Sequence, residues 1–175
     1  MLNSCSDKRG VTLIEVLAVV TIMGILSGIG VSGLRSAIAN SRIKDAGINV
    51  TAFMERAANE ATRLNTKLCL AASGKTIKLH KSACNDEVAG DQIAEMTLES
   101  VNVFINGDCP SGDGTRYSDN KVTLTPKIGV SAIPAGCFVV RYAASDRRAA
   151  IVKVANKFSV FYKLSYDNGS NWFVP

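Results

Sequence analysis

The apolar positions of this chain fall into three regimes, and each predicts a different kind of element. Between Glu15 and Arg35 no residue is charged, and residues 16–34 are almost all apolar or small. About 20 such residues are what a helix rising roughly 1.5 Å per residue needs to cross a bilayer. Beyond Arg35 the apolar residues recur at steps of three and four, through Ala39, Ile43, Ala46, Val50, Phe53, Ala57, Ala61, Leu64 and Leu68. They form one stripe, while Arg42, Lys44, Asp45, Glu55, Arg56, Asn59, Glu60 and Arg63 supply the wet faces. No proline interrupts this before Pro110, so the pattern predicts one helix over about 11–64. Its first half is apolar all round and its second half one-sided. The stripe is too rich in alanine and too short for a sustained coiled coil.

From Thr66 onward the pattern changes to short apolar runs bounded by turn residues, as strands require. Residues 67–71 and 76–80 flank Ser73-Gly74 and read as a hairpin. Further strands are predicted at 96–105, 122–124, 137–142, 149–155 and 158–164. Residues 106–120 are Gly, Asp, Ser and Pro-rich, hence a loop too polar to pack by itself. Tyr166-Asp167-Asn168-Gly169-Ser170 offers a last turn, with Trp172 and Phe173 available to close the end of the core. The predicted class is therefore α+β: a long amino-terminal helix against an antiparallel sheet of some five to seven strands. Residues 35–175 make one domain, an amphipathic helix over 35–65 and a sheet region over 66–175, and they leave no second domain for separate chemistry.

The amino terminus carries the most specific pattern. Lys8-Arg9 precede Gly10-Val11-Thr12-Leu13-Ile14-Glu15, and the apolar run follows. A secretory signal would place its small cleavage residue after the apolar core, whereas Gly10 stands before it, so a cut there leaves the helix attached. This order resembles the amino terminus of type IV pilin-like proteins, including minor pilins and the minor pseudopilins of type II secretion. The resemblance implies a leader, residues 1–10, removed by a membrane-bound prepilin peptidase after Gly10. It further implies methylation of the new amino terminus at Val11, and packing of residues 11–34 first in lipid and then in a filament core. Implied partners are other pilins or pseudopilins, the peptidase, the inner-membrane assembly platform and membrane lipid. Two departures are Val11, where the family usually has phenylalanine, and the absence of its frequent helix-kinking proline, Ser32 lying where it often falls. The resemblance thins out after about residue 65, although the alternation over 147–164 is loosely similar to the paired terminal strands of minor pilins.

Glu15 stands out on physical grounds alone. An acidic side chain at a membrane helix centre costs about 3 kcal/mol, so it should be rare there and have a partner. With Val11 as the first residue, its amine and Glu15 lie one turn apart, and a carboxylate in a first turn is favoured by the helix dipole. The pairing can lie within one chain or between neighbours; the resemblance implies the second, which sets the axial register of assembly. Lys8 and Arg9 place the amino terminus in the cytoplasm, so the remainder from Arg35 is expected on the far, periplasmic side of a bacterial inner membrane. Gly28-Ile29-Gly30-Val31-Ser32-Gly33 spells the dinucleotide-binding G-x-G-x-x-G, but no strand precedes it. Gly24 and Gly28, with Ser27 and Ser32, instead form small-residue faces that let helices approach closely. The glycines over 24–33 also lower helix propensity, so bending or local melting is expected there outside lipid.

Cysteine use agrees with an oxidising compartment. Cys5 leaves with the leader, and Cys69, Cys84, Cys109 and Cys137 remain. Of the three pairings, Cys69 with Cys84 and Cys109 with Cys137 join adjacent segments, the second tethering the polar loop. A zinc site is disfavoured, because no C-x-x-C pair is present and the one histidine, His80, sits between lysines. No catalytic motif appears, and neither a cofactor nor a metal is expected. Asp108, Asp113 and Asp119 do not match a calcium loop and read as a solvated loop. The triplets at Asn49 and Asn168 match the glycosylation pattern, a weak signal.

The net charge is +5 and falls to about +4 once Asp7, Lys8 and Arg9 are removed, a modest basic excess. Its densest members are Arg141, Arg147, Arg148, Lys153, Lys157 and Lys163, with Lys75, Lys78 and Lys81 on the first hairpin. Some minor pilins bind incoming DNA, and the resemblance allows a DNA-receptor role centred on Arg147, Arg148 and Lys153. Against it, residues 165–175 carry no basic residue and the alternation spreads the lysines over both sheet faces. The expectation is a structural filament subunit, with the DNA receptor as its alternative.

Overall fold

The computed structural model describes residues 10–84, 91–98, 102–127, 129–142, 145–155 and 159–175. Lys8, Arg9, Cys5 and Lys157 lie outside them, as do parts of the predicted runs 96–105 and 158–164. The chain forms two compact units, one ending at Ile38 and one running from Ala39 to Pro175. One helix, α1 (Leu13–Leu64), supplies most of the first unit and the first element of the second.

Eight strands follow: β1 (Leu68–Ser73), β2 (Thr76–His80), β3 (Gln92–Thr97), β4 (Asn102–Ile105), β5 (Lys121–Leu124), β6 (Gly136–Tyr142), β7 (Arg148–Lys153) and β8 (Val160–Ser165). They make two four-stranded antiparallel sheets, ordered β3-β2-β1-β5 and β4-β6-β7-β8. This corrects the single sheet of five to seven strands. The predicted strand 96–105 is divided, its start ending β3 in one sheet and its end forming β4 in the other. Periodicity cannot reveal such a division, because both halves face the same core.

The helix ends where its capping chemistry predicts. Asn65 adopts φ +50°, and the Thr66 N–H reaches back to the Ala61 carbonyl at 3.3 Å, the closing bond of a left-handed helix cap. Within the second unit the stripe is buried: Ile43, Val50 and Ala61 have no exposed surface, and Ala39, Ala46, Phe53 and Ala57 little more. Met54 and Ala58 are buried as well, so the covered arc is wider than the predicted stripe. A helix facing two sheets buries a broader face than one facing a single layer.

Both sheets send alternate side chains to that helix. Leu68, Leu70, Ile77, Leu79, Val122 and Leu124 come from the first sheet, and Phe104, Phe138, Val140, Ile151 and Leu164 from the second. The register Val140↔Ala149 and Phe138↔Ile151 places same-face residues side by side across β6 and β7. At Gly47 the helix meets β8 so closely that a Cβ would stand 2.8 Å from the Tyr162 ring.

The opposite face of the second sheet is also covered. Cys137, Val139, Ala150 and Val152 form a second cluster, closed by the loop after β4 and by Trp172. This explains why β6 and β7 read as nearly continuous apolar runs. The loop is pinned at several points. Cys109 is disulfide-bonded to Cys137, Asp113 is ion-paired with Lys163, and Arg116 bridges to Cys137. Tyr117 is buried beside Phe138 and donates its hydroxyl hydrogen to the Pro134 carbonyl at 2.8 Å. The second disulfide, Cys69 to Cys84, ties β1 to the segment after β2.

Gly136, where β6 begins, marks the tightest approach. Its φ is +156°, and an added Cβ would lie 2.4 Å from the Tyr117 ring and 2.9 Å from the Thr115 carbonyl oxygen. Gly136→Ala must therefore displace backbone as well as a ring, and it is expected to destabilise the protein by about 2 kcal/mol, the middle of the range for overpacked cores. Equilibrium denaturation of both proteins measures this, and an unchanged midpoint would show that the loop can shift freely.

Candidate functional site

The candidate site is the amino-terminal part of α1 with the residues just before it. Gly10 and Val11 are exposed and stand outside the helix, which begins at Leu13. The Glu15 and Val16 N–H groups donate to the Thr12 carbonyl at 3.1 and 3.2 Å, so Thr12 accepts the first helical bonds. Glu15 occupies the first turn, where the helix dipole favours a carboxylate. A scissile bond after Gly10 would thus lie in non-helical backbone accessible to an enzyme.

From Val11 to Ile38 the first unit covers none of its own side chains among the described residues. Leu13 is 85% exposed, Ile14 77% and Leu34 62%. One 18-residue window of α1 has a mean hydropathy of 2.2, long and apolar enough to cross a membrane. The Thr21 hydroxyl donates back to the Leu17 carbonyl, which removes its need for a partner in an apolar medium.

The glycines of this segment relieve no crowding among the described residues. A Cβ at Gly24, Gly28, Gly30 or Gly33 would meet nothing within 4 Å, in contrast to Gly47 and Gly136. All four are in helical backbone despite the weak propensity of glycine.

Residues 5–31 match the family model of the prokaryotic N-terminal methylation motif. This part of the chain therefore carries the signal of type IV pilin-like precursors processed by prepilin peptidase. No curated protein and no solved structure matches the chain. The match ends before Ala39, so the family statement rests on the amino-terminal unit alone.

The basic residues singled out in the sequence are largely engaged. Arg147 donates through Nε to the Asn40 side chain on α1, and its guanidinium stands 5.9 Å from the Tyr166 ring centroid. Arg148 donates to the Asn168 side chain in the last turn. Lys153 is only 5% exposed, its ammonium donating to the Val154 carbonyl at 2.9 Å, and burial lowers its pKa. Lys78 stands 3.7 Å from Glu95. Arg147 and Arg148 thus both reach the last turn, while the Lys153 ammonium is held at the end of its own strand. Asp108, Asp113 and Asp119 likewise do not gather: no metal-holding cluster occurs among the described residues.

The last turn was legible as a turn, but not its electrostatics. Ser165 Oγ donates to Asp167 Oδ1 at 2.6 Å, the Asn171 N–H donates to the same oxygen at 2.9 Å, and the Asn171 amide donates to Oδ2. Ser165 Oγ in turn accepts the Gly169 N–H at 2.9 Å. Phe173 then pairs with Leu164 through both backbone bonds, and its ring meets Tyr166 edge-on. Phe173 itself is 41% exposed, so of these two aromatic residues only Trp172 packs on the second cluster.

The hydrogen bond from Ser165, reinforced by those from Asn171, holds the Asp167 carboxyl down at about 2, against an ordinary 3.8. A depressed carboxyl stabilises the folded turn above its unfolded pKa and loses that contribution as pH falls through the folded value. The turn is therefore expected to loosen between about pH 4 and pH 2. Side-chain NMR titration of Asp167 checks the midpoint, and Asp167→Asn should abolish this step in the hydrogen exchange of Gly169 and Asn171.

Proposed function

We propose that the chain is a structural subunit of a bacterial filament, a minor subunit of a type IV pilus or of a type II secretion pseudopilus. The observation that carries this reading is the first unit itself. It is a helix apolar on every side, with glycines that relieve no contact of its own, behind an accessible Gly10-Val11 bond. In lipid such a helix satisfies its side chains but leaves the glycine gaps unused; among other helices the gaps permit close packing.

In this reading residues 1–10 are the leader, cut after Gly10, and Val11 is methylated. Residues 11–34 hold the subunit in the inner membrane with the leader in the cytoplasm, and residues 35–175 fold in the periplasm. The assembly platform then extracts the helix into a filament of other pilins or pseudopilins. Glu15 enters the apolar core as a charge that only a positive group offsets, and the free amine of a neighbouring Val11 is the available group of that sign. That pairing sets the axial register. Nothing in this role calls for catalysis, and the engagement of Arg147 and Arg148 by Asn40 and Asn168, with the burial of Lys153, favours assembly over DNA capture.

Two variants test separate steps. Gly10→Leu is expected to block leader removal, because the peptidase must fit a residue without a side chain beside the scissile bond. Intact-mass analysis should show the wild type starting at a methylated Val11 and the variant retaining Met1; an unprocessed wild type would end the proposal. Glu15→Ala should be processed and inserted normally, since removing a charge does not hinder entry into lipid, but should be depleted at least about tenfold from sheared filaments, as the loss of a charge pairing of about 1.4 kcal/mol would give. Equal incorporation would deny the carboxylate any register-setting role.

A further inference from the structure

The last turn holds a reactive pair that neither leader removal nor assembly uses. Two asparagines of the chain are followed by glycine, Asn106 and Asn168. Such a pair is self-reactive, because glycine has no side chain to keep its backbone nitrogen away from the amide before it. At Asn168 the Gly169 nitrogen, once it loses its proton, attacks the side-chain carbonyl carbon. The new N–C bond closes a cyclic succinimide, and the side-chain nitrogen leaves as ammonia. Water then opens the ring at either carbonyl, giving aspartate or isoaspartate. Water is the one co-reactant, and no electrons change hands.

The folded turn holds both reacting groups apart from this course. Asn168 and Gly169 have φ of +62° and +92°, and the Ser170 N–H donates to the Asp167 carbonyl at 3.3 Å. This is the type I′ turn that Asn-Gly favours. The attacking nitrogen is engaged, since the Gly169 N–H donates to Ser165 Oγ at 2.9 Å and Ser165 has no exposed surface. The Asn168 side chain is held by its oxygen to the Arg148 guanidinium, and its own N–H donates to the Asp146 carbonyl at 2.8 Å. Gly169 has little room to swing: a Cβ there would stand 3.2 Å from the Arg148 guanidinium and 3.4 Å from the Trp172 ring. Asn168 is nonetheless exposed, so water reaches it.

We propose that Asn168 is a site of spontaneous deamidation that the closed turn keeps shut, guarded by the hydrogen bond from Gly169 to Ser165. Opening of the turn frees the nitrogen, and the product marks that chain permanently. Aspartate sets a carboxylate against Arg148, while isoaspartate lengthens the backbone by one carbon, which the type I′ turn does not accommodate.

The purified full chain, incubated in detergent micelles at mildly alkaline pH, tests this. Mass spectrometry follows the peptides holding Asn106 and Asn168 and separates aspartate from isoaspartate. In the folded wild type Asn168 should react at least about tenfold more slowly than in urea, because attack waits on local opening. Ser165→Ala should raise the folded rate about fivefold, the added opening that loss of one hydrogen bond gives, and leave the rate at Asn106 unchanged. Asp167→Ala, at an exposed position, removes the carboxylate that holds Ser165 and Asn171 and should raise the Asn168 rate in the same direction. A folded wild type as reactive at Asn168 as in urea would overturn the proposal. So would an Asn168 rate indifferent to both substitutions, or one that rises only together with that of Asn106, since protection would then belong to the fold at large.

Discussion

Ile43, Val50, Met54 and Ala58 turn into a space that two sheets close from different sides, and the rest of the second unit depends on that shared core. Each fully buried aliphatic side chain of this size contributes about 2 kcal/mol, several times what helix propensity gives per residue. Neither sheet completes its inner face without the helix, because β1 and β2 send Leu70 and Ile77 toward it while β6 and β7 send Phe138 and Ile151. Three contacts fix where it lies: Gly47 admits the Tyr162 ring, Asn102 holds the Arg42 carbonyl, and Arg147 binds Asn40.

The polar loop after β4 shows how a segment unable to form a core is nonetheless made rigid. It covers Val139 and Val152 only because Cys109, Asp113, Arg116 and Tyr117 are each fastened to the second sheet or its approach. The disulfide restricts the unfolded chain over a separation of 28 residues, and the Tyr117 ring fills the room that Gly136 leaves. A loop held in this way leaves the sheet face beneath it dry, as the zero exposure of Cys137 and Val139 indicates.

The two units contrast in what covers them. In the second, most large apolar residues of the described segments are covered, and its glycines at 47 and 136 answer to crowding within the chain. In the first, the apolar residues are outside and the glycines answer to nothing internal. The methylation-motif match falls on the first of these, the segment whose described side chains are exposed.

The amino-acid sequence by itself determined the long helix, its all-apolar and one-sided halves, the Gly10 and Glu15 motif and the first hairpin. These rest on local periodicity and on residue types whose physical demands hold in any fold. It also contained most strand positions, since alternation and turn residues are local. Only the tertiary structure decided that the run 96–105 belongs to two sheets, that Met54 and Ala58 join the buried face, and that Lys153 is inside while Phe173 is not. Each depends on which segments, distant in sequence, lie across from one another. The place of Asn102 was invisible for the same reason: it is an ordinary polar residue until folding sets its amide on the Arg42 carbonyl of the helix.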